Sequence, residues 1–210
     1  MDVAADQLRE TEDSKVRLAE IGRLSSLDRA VLTLYALSFG PLSRKDLLRA
    51  LKQTWMTMPD GSVITDPKLR PSVQRLRQKE WIVSWGSTPP ECLPEVRIDV
   101  LEAARIKGDL LRLAEALQQA APAFPTPDDW DYRWRKDHFV SFPHACREVF
   151  LAVEKEDWDE LNRLASFCQR DDRIRSVMPV LFLICGEPFW PEFIDRLPKP
   201  YREELLATSL

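Results

Sequence analysis

The chain has 210 residues, 44% hydrophobic and 30% charged, with a formal net charge of −4. That length holds one large or two small domains, and the apolar fraction is enough to fill a core. An acidic total excludes a protein that coats nucleic acid with its whole surface.

Only 6 Gly stand beside 16 Pro. With Leu, Ala, Glu and Arg abundant, this predicts a mainly α chain whose prolines mark element boundaries. Charge is unevenly spread. Residues 1–26 balance to −2, residues 27–100 to +3, and residues 101–210 to −5. The one basic region is therefore confined to the second quarter and its flanks.

Residues 1–24 are charged and permissive for helix, with Val16, Leu18, Ile21 and Leu24 as a weak apolar set. They read as a tail or an extra helix. Ser25-Ser26 offers an N-cap for a helix over Leu27–Phe39, broadly apolar and stopped by Gly40-Pro41. A second helix opens at Ser43, which forms with Asp46 a variant of the capping box. Leu47, Leu48 and Leu51 are its seam. Pro59-Asp60-Gly61 breaks the loop over 54–65.

Leu69, Val73 and Leu76 then space one buried face of a third helix, expected to start near Arg70 with Asp66-Pro67 as a lead-in turn. Its remaining positions carry Lys68, Arg70, Arg75, Arg77 and Lys79 against Asp66. Trp81–Trp85 reads as a strand, Gly86–Glu91 as a turn-rich loop, and Glu95–Val100 as a half-buried strand by its alternation. This is the element order of a winged helix-turn-helix with a small β-wing.

Leu101–Ala121 is expected to be a single amphipathic helix. Pro122, Pro125 and Pro127 make a stiff linker into an aromatic stretch with Trp130, Tyr132, Trp134, Phe139 and Phe142. Helices are expected at 144–154, 157–170, 173–185 and 200–210, the first two joined through Lys155-Glu156-Asp157 as one hairpin of a solenoid-like assembly. The organisation is thus a tail or helix at 1–24, a winged helix at 25–100, a connecting helix at 101–121, a Pro/aromatic linker at 122–143 and a helical-hairpin domain at 144–210. The last residues are expected to stay helical, as either a segment of a longer protein or a native terminus would.

The candidate nucleic-acid contacts are Lys68, Arg70, Ser72, Gln74, Arg75, Arg77, Gln78 and Lys79, types that reach phosphates and base edges. A solvated helix face is the plainer reading of the same residues. The wing region Ser87–Leu93 holds no Lys or Arg, which weighs against a wing that grips DNA. His138, His144 and Cys146 match no zinc spacing, and Cys146 beside His144 is no catalytic dyad. The aromatics of 128–142, with Arg133, Arg135 and Lys136, suit single-strand stacking; stapling two helical layers is the simpler role. No phosphate-binding Gly-rich loop occurs, so no ATPase, dinucleotide enzyme, metal or cofactor is expected. The four cysteines form no Cys-x-x-Cys, the N-terminus is acidic rather than signal-like, and no apolar run nears the roughly 20 residues of a membrane span. A reduced, cytoplasmic, non-membrane chain is expected.

Several stretches together resemble the N-terminal region of large bacterial SNF2-like helicases of the DEAD/DEAH-box kind. They are Leu27–Leu34 with Pro41–Arg44, Leu69–Leu76, Cys146–Val153 followed by Trp158–Leu164, and Phe193–Pro198. The resemblance implies a non-catalytic accessory region that precedes an ATP-driven DNA translocase, holding DNA through the winged helix and a partner protein, or the rest of a longer chain, through the helical domain. Two other readings stand beside it: a protein-interaction scaffold that docks through the winged helix, and a free-standing winged-helix transcription regulator.

Overall fold

The structure, a computed structural model, describes residues 3–54, 56–58, 60–126, 138–186 and 189–208. It is mainly α, and the sheet among the described residues has two strands. The chain divides into two compact units, Met1–Ala116 and Leu117–Leu210.

In the first unit, α1 (Val3–Arg23) lies against α5 (Pro94–Ile106). Ile21 is fully buried, and Arg17 pairs with Asp99 at 2.5 Å. α2 (Ser26–Leu37) is the centre of the unit. It touches α5, the helices Arg44–Gln53 and Asp66–Gln78 and the strand Glu91–Cys92, and Leu27 and Ala30 to Leu37 are all buried. Burying each Leu or Val there contributes roughly 1.5–3 kcal/mol, so this helix holds the unit together. The Ser25 hydroxyl caps it by accepting from the Asp28 amide at 3.1 Å.

α2 ends two residues before the expected Phe39. Phe39 itself takes the left-handed turn at φ 53, the role expected of Gly40. A non-glycine is tolerated there because its ring is buried at 4% exposure, with the Arg97 guanidinium 5.0 Å from its centroid. α3 (Arg44–Gln53) starts at Ser43, whose hydroxyl accepts from the Asp46 amide at 3.1 Å and donates to its carboxylate at 2.6 Å.

α4 (Asp66–Gln78) begins four residues earlier than expected. Pro67 occupies the first turn, where a missing N–H costs nothing. Pro71 then sits inside the helix and leaves the Pro67 carbonyl without its usual amide donor. β1 (Ile82–Val83) and β2 (Glu91–Cys92) pair antiparallel, Ile82 opposite Cys92 and Val83 opposite Glu91.

The expected strand over Glu95–Val100 is instead the start of α5. Val96 and Val100 satisfy an alternating pattern, but they are also four apart, and with Leu101 and Ala104 they make a helical stripe that is buried. Pro94 in the first turn and Glu95 beside it are helix-start residues. The expected single helix Leu101–Ala121 is two. α5 ends at Ile106, Gly108 turns at φ +73, and α6 runs from Leu110 to Ala120. The Gly108 amide bonds Arg105 O at 3.0 Å and the Asp109 amide bonds Ala104 O at 3.0 Å, so a glycine closes α5 in the left-handed C-terminal turn that glycine favours.

The second unit contains α7 (Phe142–Glu154), α8 (Trp158–Arg170), α9 (Met178–Cys185), α10 (Pro191–Arg196) and α11 (Lys199–Thr208). α7 packs on both α8 and α9. Glu156 at φ 54 turns the chain between α7 and α8, and Asp157 caps α8 by accepting from the Glu160 amide at 3.0 Å. α9 starts at Met178, five residues later than expected, and α10 was not foreseen. Phe150, Trp190 and Phe193 stack with centroids 5.3 to 6.0 Å apart. Phe139 is fully buried and lies 4.8 Å from Phe124, so it packs in a core. Trp130, Tyr132 and Trp134 lie outside the described residues. No helix of the described residues is long and apolar enough to cross a membrane.

Candidate nucleic-acid interface

The eight candidate residues all lie on α4 or its C-cap, and the structure sorts them into groups. Leu69, Ser72, Val73 and Leu76 face the unit's interior. Ser72 is 1% exposed and its hydroxyl accepts from Arg75 at 3.2 Å. It is therefore a buried polar residue and no surface contact, which corrects the expectation from its residue type.

Arg75 makes two hydrogen bonds to Asp28 on α2, at 2.7 Å to Oδ1 and 3.1 Å to Oδ2. The Asp28 side chain is 7% exposed and that of Arg75 54%. Burial pushes the Asp28 carboxyl up, but the Arg75 guanidinium, with the Ser72 and Ser25 hydroxyls, outweighs it and holds the group below its ordinary value. This pair is a cross-helix tie. Lys79 bonds Glu20 of α1 at 2.7 Å and sits 4.7 Å from the Trp81 ring centroid. Lys68 donates to the Ser62 hydroxyl in the preceding loop. These three cations occupy one flank of α4.

Arg70, Gln74, Arg77 and Gln78 follow at i, i+4, i+7 and i+8, and all four are exposed. Helical spacing places them along one face. Arg70 is 3.3 Å from Asp66, with its side chain 65% exposed. Arg77 donates to the Ser84 hydroxyl at 2.6 Å, just after β1. Arg44, the first residue of α3, joins this flank because its Nε lies 3.4 Å from Asp66 Oδ1. Tyr35 lies beneath them at 1% exposure. Burial drives its phenol up to about 12, and the nearby Arg77 and Arg44 oppose the rise. Arg44 and Arg70 thus meet at one carboxylate, and Arg44 and Arg77 lie near one buried tyrosine. Residue patterning on α4 alone omitted Arg44; its signal was a cation at the helix start, one position after the Ser43 cap.

The turn between β1 and β2 contains no Lys or Arg. It presents Trp85, 66% exposed, whose indole donates to Glu91 at 2.9 Å.

Elsewhere, Cys92, Cys168 and Cys185 are buried, and burial pushes each thiol up to about 12. Cys146 is buried too, while His144 Nδ1 lies 2.7 Å from Ser141 Oγ. No group of three or more His, Cys, Asp or Glu among the described residues is arranged to hold a metal ion. Compared with known proteins, the chain matches no protein-family model, no curated protein and no solved structure.

Proposed function

We propose that α2, α3, α4 and the β1–β2 hairpin form a winged helix-turn-helix that contacts DNA through α4, as the non-catalytic accessory region of a larger bacterial helicase-like translocase. The helices after Leu117 form the solenoid-like part and dock a protein partner or the rest of a longer chain. The observation that carries this reading is the exposed row Arg70–Gln74–Arg77–Gln78 with Arg44 beside it. Arginine reaches phosphates and guanine edges, and glutamine reaches adenine. The pairs that hold Arg70 and Arg44 to the half-buried Asp66 are open to solvent on the arginine side, which keeps them near the roughly 0–1 kcal/mol of surface pairs. A phosphate can replace that carboxylate at little cost.

The test is duplex DNA binding by fluorescence anisotropy over a salt series. Phosphate contact requires affinity that falls steeply with salt and drops in Arg70→Glu/Arg77→Glu. Absence of binding at low salt removes the DNA reading. One observation favours docking of protein by the same unit. The hairpin tip offers an exposed Trp85 and no cation, and aromatic residues are enriched where proteins meet. A Trp85→Ser change that leaves DNA affinity intact but abolishes a partner's binding would assign the hairpin to protein.

A further inference from the structure

The β1–β2 hairpin ends in an aromatic tip beside the cationic row of α4. A single exposed hydrophobic residue is ordinary, but Trp85 is both 66% exposed and held in place. Its backbone amide donates to Thr88 Oγ1 at 3.2 Å. The Thr88 amide and hydroxyl both donate to Trp85 O, at 3.1 and 2.8 Å. Gly86 makes the turn at φ +60. The indole Nε1 donates to Glu91 at 2.9 Å, and Glu91 is itself paired with Val83 across the hairpin. The ring is thus oriented before any partner arrives, which reduces the ordering cost of binding.

Its surroundings narrow the kind of partner. Arg77 donates to the Ser84 hydroxyl, one residue before the ring, so Trp85 stands next to the end of the row Arg70–Gln74–Arg77–Gln78. From Glu80 to Val96 the chain has three Glu and no Lys or Arg, so the hairpin has no charge with which to follow phosphates. Between residues 81 and 100 no other large hydrophobic side chain is exposed among the described residues. Protein hot spots sit inside larger packed patches, whereas this ring stands alone beside a guanidinium. A flat ring next to a phosphate-binding cation suits a nucleotide base. In a paired duplex the bases offer only their edges in the grooves; a base face is free for stacking where pairing ends.

Resting on the DNA reading of α4, we infer that the first unit binds DNA at a boundary between paired and unpaired strands. Arg70 and Arg77 hold phosphates of the paired arm, and Trp85 stacks on the first unpaired base. Glu91 repels the backbone from the hairpin and keeps it on the α4 side. Every base has a face to stack, so the boundary is recognised with little regard to sequence.

The test uses the full 210-residue chain, with a forked duplex bearing two unpaired arms and a fully paired duplex of equal nucleotide count, both read by fluorescence anisotropy. The fork should bind about fivefold tighter or more, the low end of what one base–aromatic stack gives. Charge alone favours the opposite order, because paired DNA has the denser phosphates. Trp85→Ser should bind the fork no tighter than the paired duplex, while Trp85→Phe, which keeps a ring, should retain most of the preference. A fluorescent aminopurine at the first unpaired position should be quenched by the wild type and not by Trp85→Ser. Equal or tighter binding of the paired duplex by the wild type overturns the inference and leaves the DNA reading of α4 standing, and it decides without any variant. An aminopurine that stays bright in the wild type overturns it too. A fork preference that survives Trp85→Ser does the same and returns the ring to protein docking. Absence of binding to either DNA removes the reading of α4 and the inference with it.

Discussion

The two flanks of α4 carry the same residue types and do different work. On one, Arg75 and Lys79 reach back to Asp28 on α2 and Glu20 on α1. On the other, Arg70 and Arg77 point outward and are met by Asp66 and Ser84, which are local to the helix and hairpin. For Arg75 the difference lies in the burial of the acceptor; Glu20, which meets Lys79, is 42% exposed, so Lys79 is held only as loosely as the outer cations. The Asp28 side chain is 7% exposed, whereas that of Asp66 is 34% exposed. A buried carboxylate makes its partner structural, because removing the cation strands a charge; an exposed one leaves its partner exchangeable. A basic helix face is thus not a uniform binding surface.

The largest effect expected from breaking this contrast is on the tied flank. Arg75→Ala leaves Asp28 buried without its cation, and should lower stability by about 2 kcal/mol, read by urea denaturation. On the open flank, Arg70→Glu/Arg77→Glu should change stability by no more than about 0.5 kcal/mol. The same double change should weaken duplex DNA by about tenfold or more and reduce the salt slope by about 1 for each arginine. If it unfolds the chain while Arg75→Ala does not, the assignment of the flanks is reversed.

Smaller again is the effect of Asp66→Asn. It releases Arg44 and Arg70 from a competing carboxylate, and should tighten DNA about threefold, in line with an exposed pair worth less than about 1 kcal/mol; weaker binding in anisotropy would contradict this. The mildest test is acid. The Asp28 carboxyl lies below its ordinary value, as does Asp171, which the Arg173 guanidinium holds down first of all. A depressed folded value means stability that is present above the unfolded value of about 3.9 and lost as pH falls through the folded one. Urea titrations from neutral pH downward should show a declining acid limb, partly flattened in Asp28→Asn.

The helices α2, α3 and α4 were legible because local signals agreed, with Ser25 and Ser43 as caps and the Leu69–Val73–Leu76 seam. The α8 start was legible through Asp157. What was misread had two valid periodicities or a tertiary cause. Val96 and Val100 fit a strand or a helix, and the decision lay in the helix-start residues Pro94 and Glu95. Gly108 was visible but isolated, and its meaning as a stop was masked by the apolar run continuing past it. At the candidate site, residue type pointed to α4 correctly as a cationic surface. It could not separate Arg75 from Arg77, because what distinguishes them is a buried carboxylate, Asp28, against a half-buried neutral hydroxyl, Ser84, a tertiary property. The one hint was Asp28 itself, a charge on a helix apolar enough to be buried and hence in need of a partner.

Ser14 and Arg17 both bond Asp99, whose side chain is 6% exposed. This sets a limit on how far the chain can be trimmed. Removing residues ahead of Ser14 leaves both partners of Asp99 in place. Removing residues through Arg17 exposes an anion that the rest of α5 was folded to hide. A limited proteolytic digest should therefore stall N-terminal to Ser14, and recombinant versions starting beyond Arg17 should accumulate poorly unless Asp99→Asn accompanies the deletion.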